Sequence, residues 1–127
     1  MFEVSVQQFF SAAHMLRNYK GKCENIHGHN WKVQVFVSKE GLNKQGMVVD
    51  FTDLKKILCK ILSSFDHKFL NDIPYFKKNN PTSENIAKYI YDELLKRLDI
   101  AQTAYLRVCV WETENSCATY YTSKASF

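Results

Sequence analysis

The amino-acid sequence predicts an α+β domain in which two strands, two helices and two further strands follow one another. Apolar and polar residues alternate in residues 2–7 and 31–38, which is the period of half-buried strands. Two segments with helical spacing follow, and a second pair of alternating segments comes last. Because each pair of strands is close in sequence, a four-stranded antiparallel sheet is favoured over a wound parallel sheet.

Both predicted helices have one apolar face. In the first helix this face consists of Phe51, Leu54, Ile57, Leu58, Ile61, Leu62 and Phe65. Thr52 or Asp53 is expected to cap its N-terminal amides. The second helix is expected to begin within residues 80–84, because the order Asn-Pro-Thr-Ser-Glu suits a first turn. Its apolar face consists of Ile86, Ile90, Leu94 and Leu98.

The remaining segments predict a loop and a hairpin. Residues 11–30 show no clear period and hold three of the four histidines, so we expect a functional loop region there. After the second helix, residues 106–110 alternate, residues 112–116 supply a polar turn, and residues 117–122 resume an extended pattern.

Composition indicates one ordinary globular domain over residues 1–127, with 46% hydrophobic residues and only four glycines and two prolines. The longest mostly apolar stretch, residues 57–65, falls far short of the roughly 20 residues that a membrane span needs. The net charge of +4 is spread over short lysine pairs, which does not favour a nucleic-acid partner. We therefore expect neither a membrane nor a nucleic acid as partner, and an anionic small molecule would suit the charge.

Cysteine usage and sheet edges give two further expectations. The four cysteines form no C-x-x-C pair and follow no N-terminal signal, so a reduced, cytoplasmic setting is expected. A four-stranded sheet would keep two bare edges, and strand edges attract other strands. We therefore expect a homo-oligomer that closes these edges.

The strongest chemical signal is a group of three histidines. Residues two apart in an extended chain project to the same face, so His27 and His29 can reach one ion. His14 would lie beside them if the first two strands pair. Three imidazoles with a vacant fourth position are typical of a catalytic zinc. The alternative is a turn that carries exposed histidines.

Three further positions offer a thiol or a carboxylate. Cys23 lies four residues before His27, where it could close a structural zinc site or act as a base beside the metal. Asp66 could hold the tautomer of His67 for proton transfer, although a cation at a helix C-terminus is the alternative. Glu112 would be costly among aromatic residues unless matched to a donor-rich ligand, and a solvated hairpin turn is its alternative.

Taken together, the motifs carry a resemblance to a known family over nearly the full chain. They are Phe10-Ser11-Ala12-Ala13-His14, Cys23-x-x-x-His27-Gly28-His29-Asn30, Val49-Asp50-Phe51, Asp66-His67-x-x-Leu70-Asn71, Pro81-Thr82-Ser83-Glu84-Asn85 and Trp111-Glu112-Thr113. The chain resembles the 6-pyruvoyl-tetrahydropterin synthase family, which includes the bacterial 6-carboxy-tetrahydropterin synthases of queuosine biosynthesis. The resemblance implies a tunnelling fold (T-fold), with two helices between the second and third of four strands. It also implies an oligomeric barrel, as trimers or hexamers with active sites at subunit interfaces.

The resemblance also implies roles for individual residues. It makes His14, His27 and His29 the ligands of a Zn²⁺ cofactor and Cys23 the proton acceptor. Asp66 and His67 match an acid-base relay that reaches the site from the neighbouring subunit. Glu112 matches a catalytic-site carboxylate that anchors the pterin ring. The segment Thr82, Ser83 and Glu84 corresponds to residues near the pterin.

The implied reaction is that of a carbon-carbon lyase acting on 7,8-dihydroneopterin triphosphate. It gives 6-carboxy-tetrahydropterin, acetaldehyde and triphosphate. The short interval from Cys23 to His27 is similar to that of the bacterial branch. Glu24 beside Cys23 resembles a subgroup that shares a glutamate with folate-type paralogues, which release 6-hydroxymethyl-dihydropterin. Glu24 is therefore a candidate second base, and dual activity is an alternative, as is a non-catalytic module with a structural zinc.

Overall fold

The computed structural model describes residues 1–21, 24–99 and 105–122. Its strands are β1 (Phe2–His14), β2 (His27–Lys39), β3 (Lys68–Phe69), β4 (Tyr105–Thr113) and β5 (Ser116–Tyr121). Its helices are α1 (Phe51–Leu62), α2 (Pro74–Lys78) and α3 (Ser83–Arg97), with a 3-10 turn at Leu70–Asp72. The strands form one sheet in the order β3-β1-β2-β4-β5. The predicted α+β class is confirmed.

The strand count differs from the prediction by the short strand β3. β3 pairs in parallel with β1, with Lys68 opposite Ala12 and Phe69 opposite Ala13. All other neighbours in the sheet are antiparallel. Two residues are too few to show an alternating pattern, which explains why the sequence did not reveal this strand.

The pairing of β1 with β2 is longer than predicted. Residues 11–30 were expected to be a loop, but β1 continues to His14 and β2 already begins at His27, directly opposite. Small residues such as Ala12, Ala13 and Gly28 have low β-propensity. They are nevertheless part of the sheet, because β1 and β2 pair over their full lengths. Of the described residues, only 15–21 and 24–26 therefore lie between the two strands.

The core lies between the sheet and the helices. α1 packs on β1, and α3 packs on β4 and β5. The predicted apolar faces are largely confirmed, since Leu54 and Leu58 of α1 and Ile86 and Ile90 of α3 are fully buried. Phe51 departs from the prediction and is 51% exposed. In the described ranges, no helix is both long and apolar enough to cross a membrane.

The two long helices begin at different kinds of cap. Asp50 caps α1, because its Oδ1 accepts from the Thr52 amide at 2.8 Å. The expected caps Thr52 and Asp53 are wrong, since the helix starts at Phe51 and both residues lie inside its first turn. The hydroxyl of Thr82 caps α3 and accepts from the Asn85 amide at 3.1 Å.

Both outer edges of the sheet are largely open in the described residues. β1 has thirteen residues, of which only Ala12 and Ala13 pair with β3. β5 pairs with β4 on one side and is the last strand on the other. The two bare edges on which the oligomer expectation rests are therefore present.

Replacing Asp50 by alanine tests the cap of α1. Loss of the capping hydrogen bond should lower the free energy of unfolding by about 1 kcal/mol. Asp53→Ala is the matched control. Among the described residues the Asp53 carboxylate has no hydrogen bond or ion pair, so its loss removes the interaction with the helix dipole and should cost about 0.3 kcal/mol. Urea denaturation followed by circular dichroism measures both. Equal losses would contradict the assignment of the cap.

Candidate metal centre

The ends of three strands bring four metal-ligating side chains together. His14 is the last residue of β1, His27 and His29 begin β2, and Glu112 lies next to the end of β4. The register sets His14 opposite His27 and Ala12 opposite His29. One ligand atom from each of the four residues lies within 4.8 Å of the others. The expected gathering of three histidines therefore occurs, with a carboxylate added.

All three imidazoles direct Nε2 toward a common point. His14 Nε2 lies 2.9 Å from His27 Nε2. Glu112 Oε1 lies 3.0 Å from His29 Nε2, 3.2 Å from His14 Nε2 and 3.9 Å from His27 Nε2. The alternative of a turn with exposed histidines is wrong, because His14 is buried and the other two rings are only partly exposed on a strand.

Backbone carbonyl oxygens contact two of the imidazole rings at Nδ1, on the side away from the common point. His14 Nδ1 lies 2.8 Å from the Pro81 carbonyl oxygen, and His27 Nδ1 lies 2.9 Å from that of Asn25. A carbonyl oxygen only accepts, so each Nδ1 donates and each Nε2 presents a lone pair. This is the tautomer that a metal ligand needs, and such outer partners orient ligating imidazoles.

His29 provides the test of whether a metal ion fits. Burial lowers the pKa of the His29 imidazole, and the nearby Glu112 carboxylate opposes that shift. In the part of the chain that the structure describes, the buried His29 Nε2 has no hydrogen bond of acceptable geometry, although Glu112 Oε1 is 3.0 Å away. A buried nitrogen without a partner is costly, and an ion within the group would satisfy it. Imidazole nitrogens and a carboxylate oxygen suit zinc and neighbouring transition metals.

Trp31 forms the base of the centre. Its ring is fully buried and packs edge-on against His14 and His29, with ring centroids 4.9 and 5.2 Å apart. Trp31 Nε1 donates to the Ala12 carbonyl at 3.2 Å. The imidazoles of His14 on β1 and His29 on β2 therefore pack on a buried side chain of β2, which limits their movement.

Two asparagines tie the loop after β1 to the helical layer. Asn71 accepts from the Met15 amide at 3.0 Å and donates to the Met15 carbonyl at 2.9 Å. Asn80 does the same with Arg17, at 2.8 and 2.9 Å. Sequence reasoning missed these roles and that of the Pro81 carbonyl. The only signal was the presence of Asn71 and Pro81 in the motifs.

Glu112 lies on β4 and not in a solvated turn. The predicted hairpin is confirmed, but its turn comprises only Glu114 and Asn115 and is narrower than the predicted residues 112–116. The pairing of β4 with β5 is irregular between Trp111 and Thr113, which places Glu112 at a bulge. Bulges re-aim side chains near functional sites. With Oε1 against the imidazoles, a two-oxygen contact to a pterin would require the carboxylate to move.

Asp66 and His67 lie apart from the four-residue group. Asp66 Oδ1 accepts from the Ser11 amide at 2.9 Å, and the His67 amide donates to the Ser11 carbonyl at 2.6 Å. His67 has a φ of 58°, and its side chain is 83% exposed. Asp66 Oδ2 lies 3.5 Å from His67 Nε2. The described residues thus place the pair on the edge of β1, facing outward.

The remaining predicted site residues lie beside the four-residue group or outside the described residues. Cys23 lies outside the described residues. Glu24 is turned toward the centre from outside, with Oε1 3.5 Å from His27 Nδ1. Thr82 and Ser83 are partly buried at the start of α3, and Glu84 is exposed. They adjoin the centre through Pro81, which contacts His14.

With this geometry in place, comparison with known proteins decides the family. A family model described as 6-pyruvoyl tetrahydropterin synthase matches residues 3–123. The chain belongs to this family. A human 6-pyruvoyl tetrahydrobiopterin synthase is 41% identical over 132 residues, which cover 93% of this chain and 90% of the human protein. A 6-carboxy-5,6,7,8-tetrahydropterin synthase from Haemophilus influenzae is 35% identical, with 94% and 99% covered.

A solved structure confirms the fold. The 6-pyruvoyl tetrahydropterin synthase of Caenorhabditis elegans has a TM-score of 0.80 and is 34% identical. The match covers 97% of this chain and 98% of the other. The predicted tunnelling fold is therefore correct, with the short β3 as the difference.

Replacing His29 by alanine tests the metal centre. Loss of a residue that hydrogen-bonds a metal ligand weakens metal binding by roughly 10–100-fold. Because His29 is itself a candidate ligand, the variant should bind the metal at least that much more weakly. Zinc per chain after dialysis, measured by atomic absorption, reports the loss. His67→Ala is the matched control and should keep its zinc, because His67 lies outside the group. Equal zinc content in both variants would contradict the assigned ligands.

Proposed function

We propose that this chain is a zinc-dependent 6-carboxy-5,6,7,8-tetrahydropterin synthase of queuosine biosynthesis. It would convert 7,8-dihydroneopterin triphosphate and water into 6-carboxy-tetrahydropterin, acetaldehyde and triphosphate. The observation that carries this proposal is the convergence of three Nε2 atoms and one carboxylate oxygen in a member of the pterin synthase family. The short interval between Cys23 and His27 favours the bacterial reaction over that named for the human relative.

The protein's own residues would divide the catalytic work. When bound, zinc supplies a Lewis acid that lowers the pKa of the hydroxyl groups on the substrate's side chain. His14 and His27 hold its position, since Pro81 and Asn25 fix their rings. Cys23 would take a proton from the side chain as the base beside the metal.

His67 would serve the site of a neighbouring subunit. Its side chain is exposed at the open edge of β1, and its positive φ is a strained conformation for a residue other than glycine. Strain of this kind persists where function demands it. Pairing of the bare edges of β1 and β5 between copies would build a barrel, as a trimer or hexamer, and would bring His67 to the adjacent centre.

Glu24 supports a second candidate function. Its buried Oε1 has no hydrogen-bond partner among the described residues and lies 3.5 Å from His27 Nδ1. A carboxylate this close to the centre could remove a proton with a different reach from that of Cys23. The alternative product would then be 6-hydroxymethyl-dihydropterin, alone or beside the carboxylated pterin.

A cytoplasmic setting fits the thiols of the described residues. Cys59, Cys109 and Cys117 are free. Unpaired cysteines persist where the redox environment is reducing. Partial desolvation and a hydrogen bond with the Cys109 thiol raise the pKa of the exposed Cys117 thiol, which disfavours its reactive thiolate.

Incubation with 7,8-dihydroneopterin triphosphate tests the reaction. Zinc-loaded protein should release acetaldehyde and 6-carboxy-tetrahydropterin, which chromatography separates from other pterins. Cys23→Ala should keep its zinc and lose at least about 100-fold in turnover, as expected for loss of a general base. Glu24→Ala should keep the carboxylated product. Hydroxymethyl product alone at saturating zinc would show the assignment to be wrong, and loss of zinc in Cys23→Ala would favour a closed structural site.

Mixed oligomers test the shared site. His67→Ala and His29→Ala should each be inactive, for different reasons. If each centre combines the imidazoles of one subunit with His67 of another, random mixing restores about a quarter of the sites. Refolding the two variants together and measuring acetaldehyde reports the recovery. Absence of recovery in mixed oligomers would show that His67 does not act across the interface.

A further inference from the structure

The position of Glu112 has a chemical consequence for the metal centre. Ligands bound at about 2.0–2.1 Å around a tetrahedral ion are separated by ~3.3 Å. Glu112 Oε1 is 3.0, 3.2 and 3.9 Å from the three imidazole nitrogens. These separations bracket the tetrahedral value. The carboxylate oxygen therefore stands where a fourth ligand would stand.

The contacts of Glu112 also favour a bound cation. His14 and His27 donate through Nδ1 to backbone carbonyls, so their Nε2 atoms face the carboxylate with lone pairs. A carboxylate oxygen is likewise an acceptor, and acceptors in contact repel unless a cation or a proton lies between them. In the described ranges, Glu112 forms no ion pair with a lysine or arginine. A metal ion bound by all four groups would remove this repulsion.

Glu112 is also the ligand best able to leave. His14 and His27 are fixed from behind by carbonyls, and His29 packs on Trp31. No hydrogen bond from the described residues holds the Glu112 carboxylate on its other side, and its side chain is 34% exposed. It projects from the bulge at the end of β4.

We propose that Glu112 is the fourth ligand of the metal in the substrate-free protein and that the side chain of the substrate displaces it. A site closed by four protein ligands performs no chemistry at the metal, so one ligand must yield before a hydroxyl group can bind. The first half of this proposal concerns metal binding alone. The second half rests on the proposed function, because it assumes a substrate with a hydroxylated side chain.

Cobalt substitution tests the first half without turnover. The full-length protein is loaded with Co²⁺, whose visible absorption is strong when four-coordinate and weak at higher coordination numbers. The wild-type protein should show the strong bands. Glu112→Ala should bind Co²⁺ at least about 10-fold more weakly, and its bands should shift because water replaces the carboxylate as fourth ligand, whereas Glu112→Gln should be intermediate in affinity. Added acetate should shift the bands of Glu112→Ala back toward those of the wild type by supplying a carboxylate at that position.

The controls separate ligation from folding. Glu114→Ala removes an exposed carboxylate from the turn of the same hairpin and should leave both affinity and spectrum unchanged. Circular dichroism establishes that each variant is folded, and Glu112→Gln preserves the size of the side chain. Wild-type affinity and spectrum in both Glu112 variants would overturn the proposal.

Neopterin tests the displacement step. It carries a hydroxylated side chain and should change the spectrum of the wild-type Co²⁺ protein, whereas pterin, which lacks that side chain, should not. An unchanged spectrum at saturating neopterin would overturn displacement. These results are independent of the product assay, so a failure of this proposal is distinguishable from a failure of the proposed reaction.

Discussion

The antiparallel pairing of β1 with β2 is the constraint on which the centre depends. It continues over all thirteen residues of each strand and sets His14 opposite His27. A shift of one residue would turn every side chain of one strand to the other face. Trp31 and Val33 are fully buried on the core side of β2. The register that fills the hydrophobic core is therefore the same register that gathers the imidazoles.

The helical layer also contributes to the centre, because it orients the His14 ring. The carbonyl that orients His14 belongs to Pro81, just before the Thr82 cap of α3. α3 is held in place by buried residues such as Ile90, and Asn80 ties the same segment to the loop after β1. Burial of a helix thus fixes the tautomer of His14, a candidate metal ligand 67 residues away in sequence. Mutations in the α3 core are expected to act on the metal through this carbonyl.

The features that the sequence predicts are those set by local periodicity. His27 and His29 share a face because residues two apart in a strand do, and the helical faces follow from the spacing of residues such as Leu54 and Ile86. The features it does not predict depend on distant partners or on weak local signals. The small residues before His14 have low β-propensity, so the sequence does not show where β1 ends. β3 is too short to show an alternating pattern. The contact between Glu112 and the imidazoles exists only once β4 has joined β2.

The three histidines and Glu112 lie in different structural environments. The histidines lie on paired strands over a buried tryptophan, where a change of position would break ladder hydrogen bonds or core packing. Glu112 lies at the bulge between Trp111 and Thr113, where the ladder is already interrupted. A carboxylate there can rotate without breaking a ladder bond. The fold therefore keeps three of the four candidate ligands rigid and leaves mobile the one whose departure, in our proposal, would open the metal to a substrate.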